Sequence, residues 1–181
     1  MTTYLAFLRA INLGRTRVFP KAAIVAATEA AGFGGVTTHL NTGNVRLQST
    51  MRSPTRVAQA LERAYRADRG FDVPTIVFSA DEFARIARDA QELSAERPGL
   101  ARHYVYLLAE ELSPAAAGEV EATSGEAGEM IVRGRAAHAL LRPGYQDGVV
   151  DPLRAAKLLG TATNRNLSVV TALAERWCAQ R

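Results

Sequence analysis

The residues best suited to chemistry gather where an apolar run ends. In FLRAINLGRTRVFP, residues 7–20, Phe7 and Leu8 lead into Arg9, Asn12, Gly14, Arg15 and Arg17 ahead of Pro20. Arginine offers a planar fork of donors that matches phosphate or carboxylate. Asparagine donates and accepts, so it can orient what arginine attracts, and glycine lets backbone N–H groups come close to a ligand. A second polar stretch, Asn41-Thr42-Gly43-Asn44, adds two amides and a glycine, and a third, TATNRNLS at 161–168, holds Arg165 and Asn166. The chemistry in common is the capture of a small anionic or phosphorylated ligand. A structural reading stands beside it: Asn and Gly are what tight turns require, because they tolerate positive φ, and loop arginines can be merely solvated. Arg9 leans toward the first reading, since an arginine at the end of a buried strand wants a partner.

Other chemistries find less to stand on. GRTRVFP is neither a Walker A loop nor a GxGxxG fingerprint, so no nucleotide class and no cofactor is implied. Cys178, the single cysteine, excludes an internal disulfide, fits a reducing, cytoplasmic setting, and sits beside Trp177 where helix packing explains it. His39, His103 and His138 each fall in an expected strand without a close second ligand, so no metal site is expected. Carboxylates in EEL and GEVEATSGEAGE read as solvated helix faces, and no acid–base pair emerges from their spacing.

The net charge of +4 and pI of 9.6 invite a nucleic-acid partner. Yet Lys21 and Lys157 are the only lysines among 22 basic residues, and arginines beside acids in LERAYRADRG and DEFARIARDA suit ordinary helix pairing. An RRM-type surface needs aromatics on two central strands, and NVRLQS has none. Nucleic acid is therefore disfavoured as a partner. Non-specific binding of its backbone by loop arginines, and a protein-interaction or structural module without catalytic activity, stand as the alternatives. No apolar run is long enough to span a bilayer, and MTTYLAFLRA lacks the basic start of a signal peptide. The oligomeric state is not legible, because Trp177 suits the chain's own core and a second subunit equally.

The elements that must position these residues follow from periodicity. A near-continuous apolar strand covers 3–9, with Leu5 and Phe7 on one face and Tyr4, Ala6 and Leu8 on the other. A helix over 20–31 follows Pro20 and stops at Gly32-Phe33. Val36, Thr38 and Leu40, then Val45 and Leu47, alternate about the Asn41–Asn44 turn as a hairpin. Ser53-Pro54 starts a second helix that ends at Gly70, and a fourth strand covers 72–78. This βαββαβ order is that of a ferredoxin-like unit.

Ser79 and Glu82 form the capping box of a linking helix. A strand at 103–109, a helix from Ser113-Pro114 and a hairpin turning near Gly134 begin a second such half. A helix from Asp151-Pro152 to Gly160 is expected next, then a terminal helix in RNLSVVTALAERW where a last strand would stand. The fold class is α+β, two ferredoxin-like halves packed together, the second modified. The halves are 1–79 and 101–181, with residues 80–100 linking them. In such a unit the first two strands run the same way, so the loops after them share one edge with the start of the first helix, whose free N–H groups favour an anion.

FLRAINLG, GFGGVTTHLNTGNVRLQS, FDVPTIVFSADEF and TNRNLSVVTALAE resemble the conserved blocks of the bacterial family called domain of unknown function 1697. Its members typically show a Leu-Arg-Gly-Ile-Asn-Val-Gly start, a Thr-Tyr-Ile-Gln-Ser-Gly-Asn-Val hairpin and a Thr-x-Arg-Asn segment. The resemblance falls on Arg9, Asn12 and Gly14, on Gly43 and Asn44, and on Thr163, Arg165 and Asn166. Ala10 replaces a usual glycine, His39-Leu40-Asn41-Thr42 replaces Tyr-Ile-Gln-Ser, and VVDPLRAAKLL lacks an Arg-Ser-Lys stretch. The resemblance implies an α+β protein of two similar halves and no particular activity.

Overall fold

The computed structural model describes residues 1–12, 14–145, 148–149 and 151–179. It divides into two compact units, Met1–Phe83 and Ala84–Arg181. Each is built on a four-stranded antiparallel sheet. Among the described residues, no helix is long and apolar enough to cross a membrane.

In the first unit β1 (Thr2–Leu8) is followed by α1 (Lys21–Ala30), β2 (Gly34–His39), β3 (Asn44–Ser49), α2 (Pro54–Arg69) and β4 (Thr75–Ser79). The strand order is β2-β3-β1-β4. β1 is an inner strand, which is why both its faces are apolar. Tyr4, Ala6 and Leu8 pack with Ile24, Leu47, Val57 and Leu61 beneath the helices. On the other face Phe7 stacks on Phe83 at 5.2 Å and meets Phe78 edge-on at 6.0 Å.

Local signals account for the helix ends. Pro20 stands just outside α1 as its N-cap, and the helix closes through Gly32 at φ 87° with the Phe33 N–H donating to Thr28. Ser53 accepts from the Arg56 N–H, Pro54 opens α2, and Gly70 ends it at φ 76°. The two helices meet through a buried bond between the Thr28 and Tyr65 hydroxyls, 2.8 Å long. β4 begins later than residue 72 because Pro74 has no N–H to give a ladder. Its carbonyl instead accepts from Arg9.

α3 (Ala80–Ala95) starts with Ser79 accepting from the Glu82 N–H. The division between the units falls inside it. Beyond lie β5 (Arg102–Leu108), α4 (Pro114–Glu121), β6 (Gly128–Arg133), β7 (Ala136–Leu141), β8 (Ala162–Asn166) and α5 (Leu167–Trp177). The second sheet is ordered β6-β7-β5-β8.

Two expectations are corrected here. A last strand is present: β8 pairs antiparallel with β5 from Leu108↔Ala162 to Tyr104↔Asn166. ATNRN lacks apolar alternation, and only its place beside β5 makes it a strand. No α-helix runs from Asp151 to Gly160, and a single 3-10 turn covers Ala156–Leu158. The Asp151 carboxylate accepts from the Ala155 and Ala156 N–H groups at 3.0 Å, and Arg154 sits at φ 58°. Side-chain capture of backbone donors and a left-handed residue together divert the chain from the helix.

The units repeat one device. Where β1 ends, Leu8 N–H donates to Gly43 and Arg9 N–H to Pro74; where β5 ends, Leu108 donates to Arg135 and Ala109 to Thr161.

Candidate functional site

β1 and β2 each pair antiparallel with β3, so they run parallel to each other and end at one edge. Asn44 marks the junction, facing Phe7 on one side and His39 on the other. The β1–α1 connection and the 40–43 turn therefore meet, and Asn12 ties them. Its side-chain amide donates to the Asn41 carbonyl at 2.9 Å, its side-chain oxygen accepts from the Phe19 N–H at 2.9 Å, and its own N–H reaches Arg17 at 2.7 Å. Arg17 donates to the carbonyls of Ala10 and Asp72 and lies 4.9 Å over the Phe71 ring.

Asn44 is fully buried and donates to the His39 carbonyl and the Thr42 hydroxyl. Gly43 is also buried, at φ 73°, with no room for a side chain beside Leu8. Four of the residues picked out by type thus build the edge itself: Asn12, Arg17, Gly43 and Asn44. Arg9, Gly14, Arg15 and Asn41 are exposed on it. The Arg9 and Arg15 side chains make no hydrogen bond or ion pair among the described residues. Arg9 stands just past the strand, in solvent. Leu13, within the loop, lies outside the described residues.

Ala10, Asn12 and Gly14 lie in the left-handed region, with φ of 57°, 55° and 65°. An L side chain at the left-handed φ of Ala10 is strained. Ala10→Gly is expected to raise stability by up to about 1 kcal/mol, the left-handed penalty less the entropy glycine adds to the unfolded chain. Urea unfolding of the two proteins checks it.

Arg165 and Asn166 belong to the second unit. β8 carries them along β5 to the edge where β5 begins, whereas Thr161 stays at the edge where β5 ends. That strand puts the two ends of the 161–168 segment at opposite edges of the sheet. Arg165 is buried opposite Val105 and donates to the Thr163 hydroxyl and the Asn164 carbonyl. Burial pulls its pKa down to about 10. Asn166 is the N-cap of α5 without a side-chain cap bond.

One pair was missed from sequence. His103 and His138 are 5% and 0% exposed and join through Nε2 and Nδ1 at 3.1 Å. Sequence spacing showed no second ligand near either histidine, and the fold brings the two together. His103 lies across from Leu140, and His138 across from Val105, so the two rings are diagonal neighbours on one face. Alternation places each on that face, but only the β5–β7 register makes them neighbours. Burial depresses both pKa values, that of His103 to about 4 with Arg97 contributing, and that of His138 to about 3 with His103 and Arg133 contributing. Among the described residues no three His, Cys, Asp or Glu side chains are grouped as a metal would need.

A family model described as a protein of unknown function, DUF1697, matches residues 1–138. The match ends before the Thr163–Asn166 block. No curated protein matches the sequence. Among solved structures, the conserved bacterial protein SP0830 from Streptococcus pneumoniae is similar at a TM-score of 0.77 and 19% identity, covering 99% of each chain. At that identity the likeness is one of fold.

Proposed function

The chain belongs to the DUF1697 family, which is defined without an activity, and from that premise we propose a function on the chemistry of the loop edge: binding of a small anionic or phosphorylated ligand. One observation carries the reading. Arg9 and Arg15 are exposed and unpartnered on a loop that Asn12 and Arg17 hold in place. A loop already held in place spares the backbone ordering that binding would otherwise cost, which favours affinity. α1 starts beside them with Pro20 as a cap that offers no side-chain acceptor, and its first turn holds no acid, so its free N–H groups suit negative charge. Asn41 would orient the ligand, and Gly14 would let the backbone approach.

The same reading takes each unit as ferredoxin-like, supported by the βαββαβ order and the β2-β3-β1-β4 arrangement of the first. It keeps residues 1–79 and 101–181 as the halves, and a cytoplasmic setting on the strength of the lone Cys178.

Thermal unfolding with inorganic phosphate, sugar phosphates and dicarboxylates tests the proposal. A ligand at 100 times its Kd stabilises by about 2.7 kcal/mol, a Tm rise on the order of 5–10 °C at this size. The Arg9→Ala, Arg15→Ala double variant is expected to keep its own Tm, because neither side chain has a partner to lose, and to lose the ligand shift. An undiminished shift in that variant would remove the proposal.

A further inference from the structure

The loop edge of the first unit is not only polar. Val18 and Leu40 are 47% and 45% exposed, the most exposed large apolar side chains among the described residues after Met1. Apolar residues scattered singly over a surface need no explanation, but these two stand on segments that one side chain joins. The Asn12 amide accepts from the Phe19 N–H and donates to the Asn41 carbonyl. Val18 immediately precedes the first of those residues, and Leu40 the second.

The backbone on either side of each is held. Val18 lies between Arg17, bonded to the Ala10 and Asp72 carbonyls, and Phe19, which is fully buried in the core. Leu40 lies between His39, whose carbonyl accepts from buried Asn44, and Asn41. Its φ of 59° is left-handed, a conformation that strains leucine and that asparagine adopts more readily. A leucine there is strained and gains little from burial, so packing does not account for it. Strain of this kind gathers at binding sites.

Positive charge lies on the same edge. Arg9 and Arg15 are exposed and without hydrogen bond or ion pair among the described residues, Lys21 is exposed, and residues 9–21 include no acid. A bare ion would use the guanidinium groups and leave both apolar side chains in water. An anion carried on an alkyl or aryl group uses both features, its charge on the arginine forks and its body on Val18 and Leu40.

We propose that the loop edge takes a free amphipathic anion, a phosphate or carboxylate borne on an alkyl or aryl group. The inference rests on the anion-binding reading of this edge and names the class of ligand within it.

Calorimetric titration with inorganic phosphate and with ethyl, butyl and hexyl phosphate tests it. Affinity is expected to rise about two- to threefold per methylene, somewhat less than the gain from burying one fully. The Val18→Thr, Leu40→Asn double variant is expected to bind the whole series as weakly as ethyl phosphate. Its Tm should equal or exceed the parent's, because asparagine suits the left-handed φ. Lost discrimination with undiminished stability separates a binding role from a structural one. Arg9→Ala, Arg15→Ala is expected to remove the response to every member alike. Equal affinity along the series, or a chain-length dependence that the Val18→Thr, Leu40→Asn protein keeps, overturns the proposal while the anion reading stands. Silence toward all four compounds overturns both. Binding to phosphatidylglycerol vesicles that the Val18→Thr, Leu40→Asn protein loses would assign the edge to a membrane surface and overturn the free ligand.

Discussion

Lowering the pH from 6 to 4.5 is expected to cost the protein about 3–4 kcal/mol of stability through the His103–His138 pair. The unfolded chain titrates its histidines near pH 6.5, whereas burial, with Arg97 and Arg133, holds the folded pair down at about 4 and 3. Between those values the unfolded state binds more protons than the folded one, so stability falls as pH falls. The slope approaches about 1.4 kcal/mol per pH unit for each histidine. The full contribution is present above pH 6.5, and the loss runs down toward the folded values. Most carboxylates titrate below this window, which isolates the pair. Urea unfolding at pH 7, 6, 5 and 4.5 reads the effect. His138→Asn is expected to remove about half of the slope, and a midpoint that stays level from pH 6.5 to 5 would contradict the assignment.

Gly43→Ala is expected to destabilise the first unit by about 3 kcal/mol, among the larger effects of a single methyl group. The added Cβ would stand 2.7 Å from Leu8 Cβ and 2.9 Å from Ile11 Cδ1. Ile11 can turn its chain end away. Leu8 Cβ is bound to the backbone, and Leu8 N–H is itself bonded to the Gly43 carbonyl, so relief requires moving β1 or the turn. The left-handed φ of 73° adds its own penalty of about 1 kcal/mol. Gly14→Ala provides the contrast: φ is 65°, yet nothing lies within 4 Å of the new atom. It should cost only the conformational share, about 1 kcal/mol. Thermal unfolding of both separates strain from collision, and equal losses would deny the close approach.

These two expectations differ in how far the sequence foretold them. Gly43 was marked by its residue type, because an Asn-Thr-Gly-Asn turn between alternating strands leaves few other conformations open. The histidine pair was invisible, since 35 residues separate its members and their meeting depends on which strand lies beside which. The same contrast runs through the loop edge. Arg9, Asn12, Gly14, Asn41 and Asn44 were chosen by chemistry, and parallel β1 and β2 bring their loops to one place. Which of them frame the edge and which face solvent was not legible. Asn12 and Asn44 carry the same amide, yet one is exposed while bridging three segments and the other is fully buried.

What the sequence determined by itself was whatever is local or periodic. Apolar runs and alternation placed seven of the eight strands, and proline starts and glycine stops placed both ends of α1 and α2 and the start of α4, because caps and turns are settled within a few residues. Tertiary structure decided the rest. β8 is polar and becomes a strand only because β5 offers it an edge. The stretch after Asp151 has helical periodicity but not a helix, since one carboxylate takes the backbone donors that the helix would need. Arg165 and Asn166 reached the far edge of their sheet because that strand formed. Burial then set the charge state of His103 and His138, a property of the packed interior that no spacing along the chain encodes.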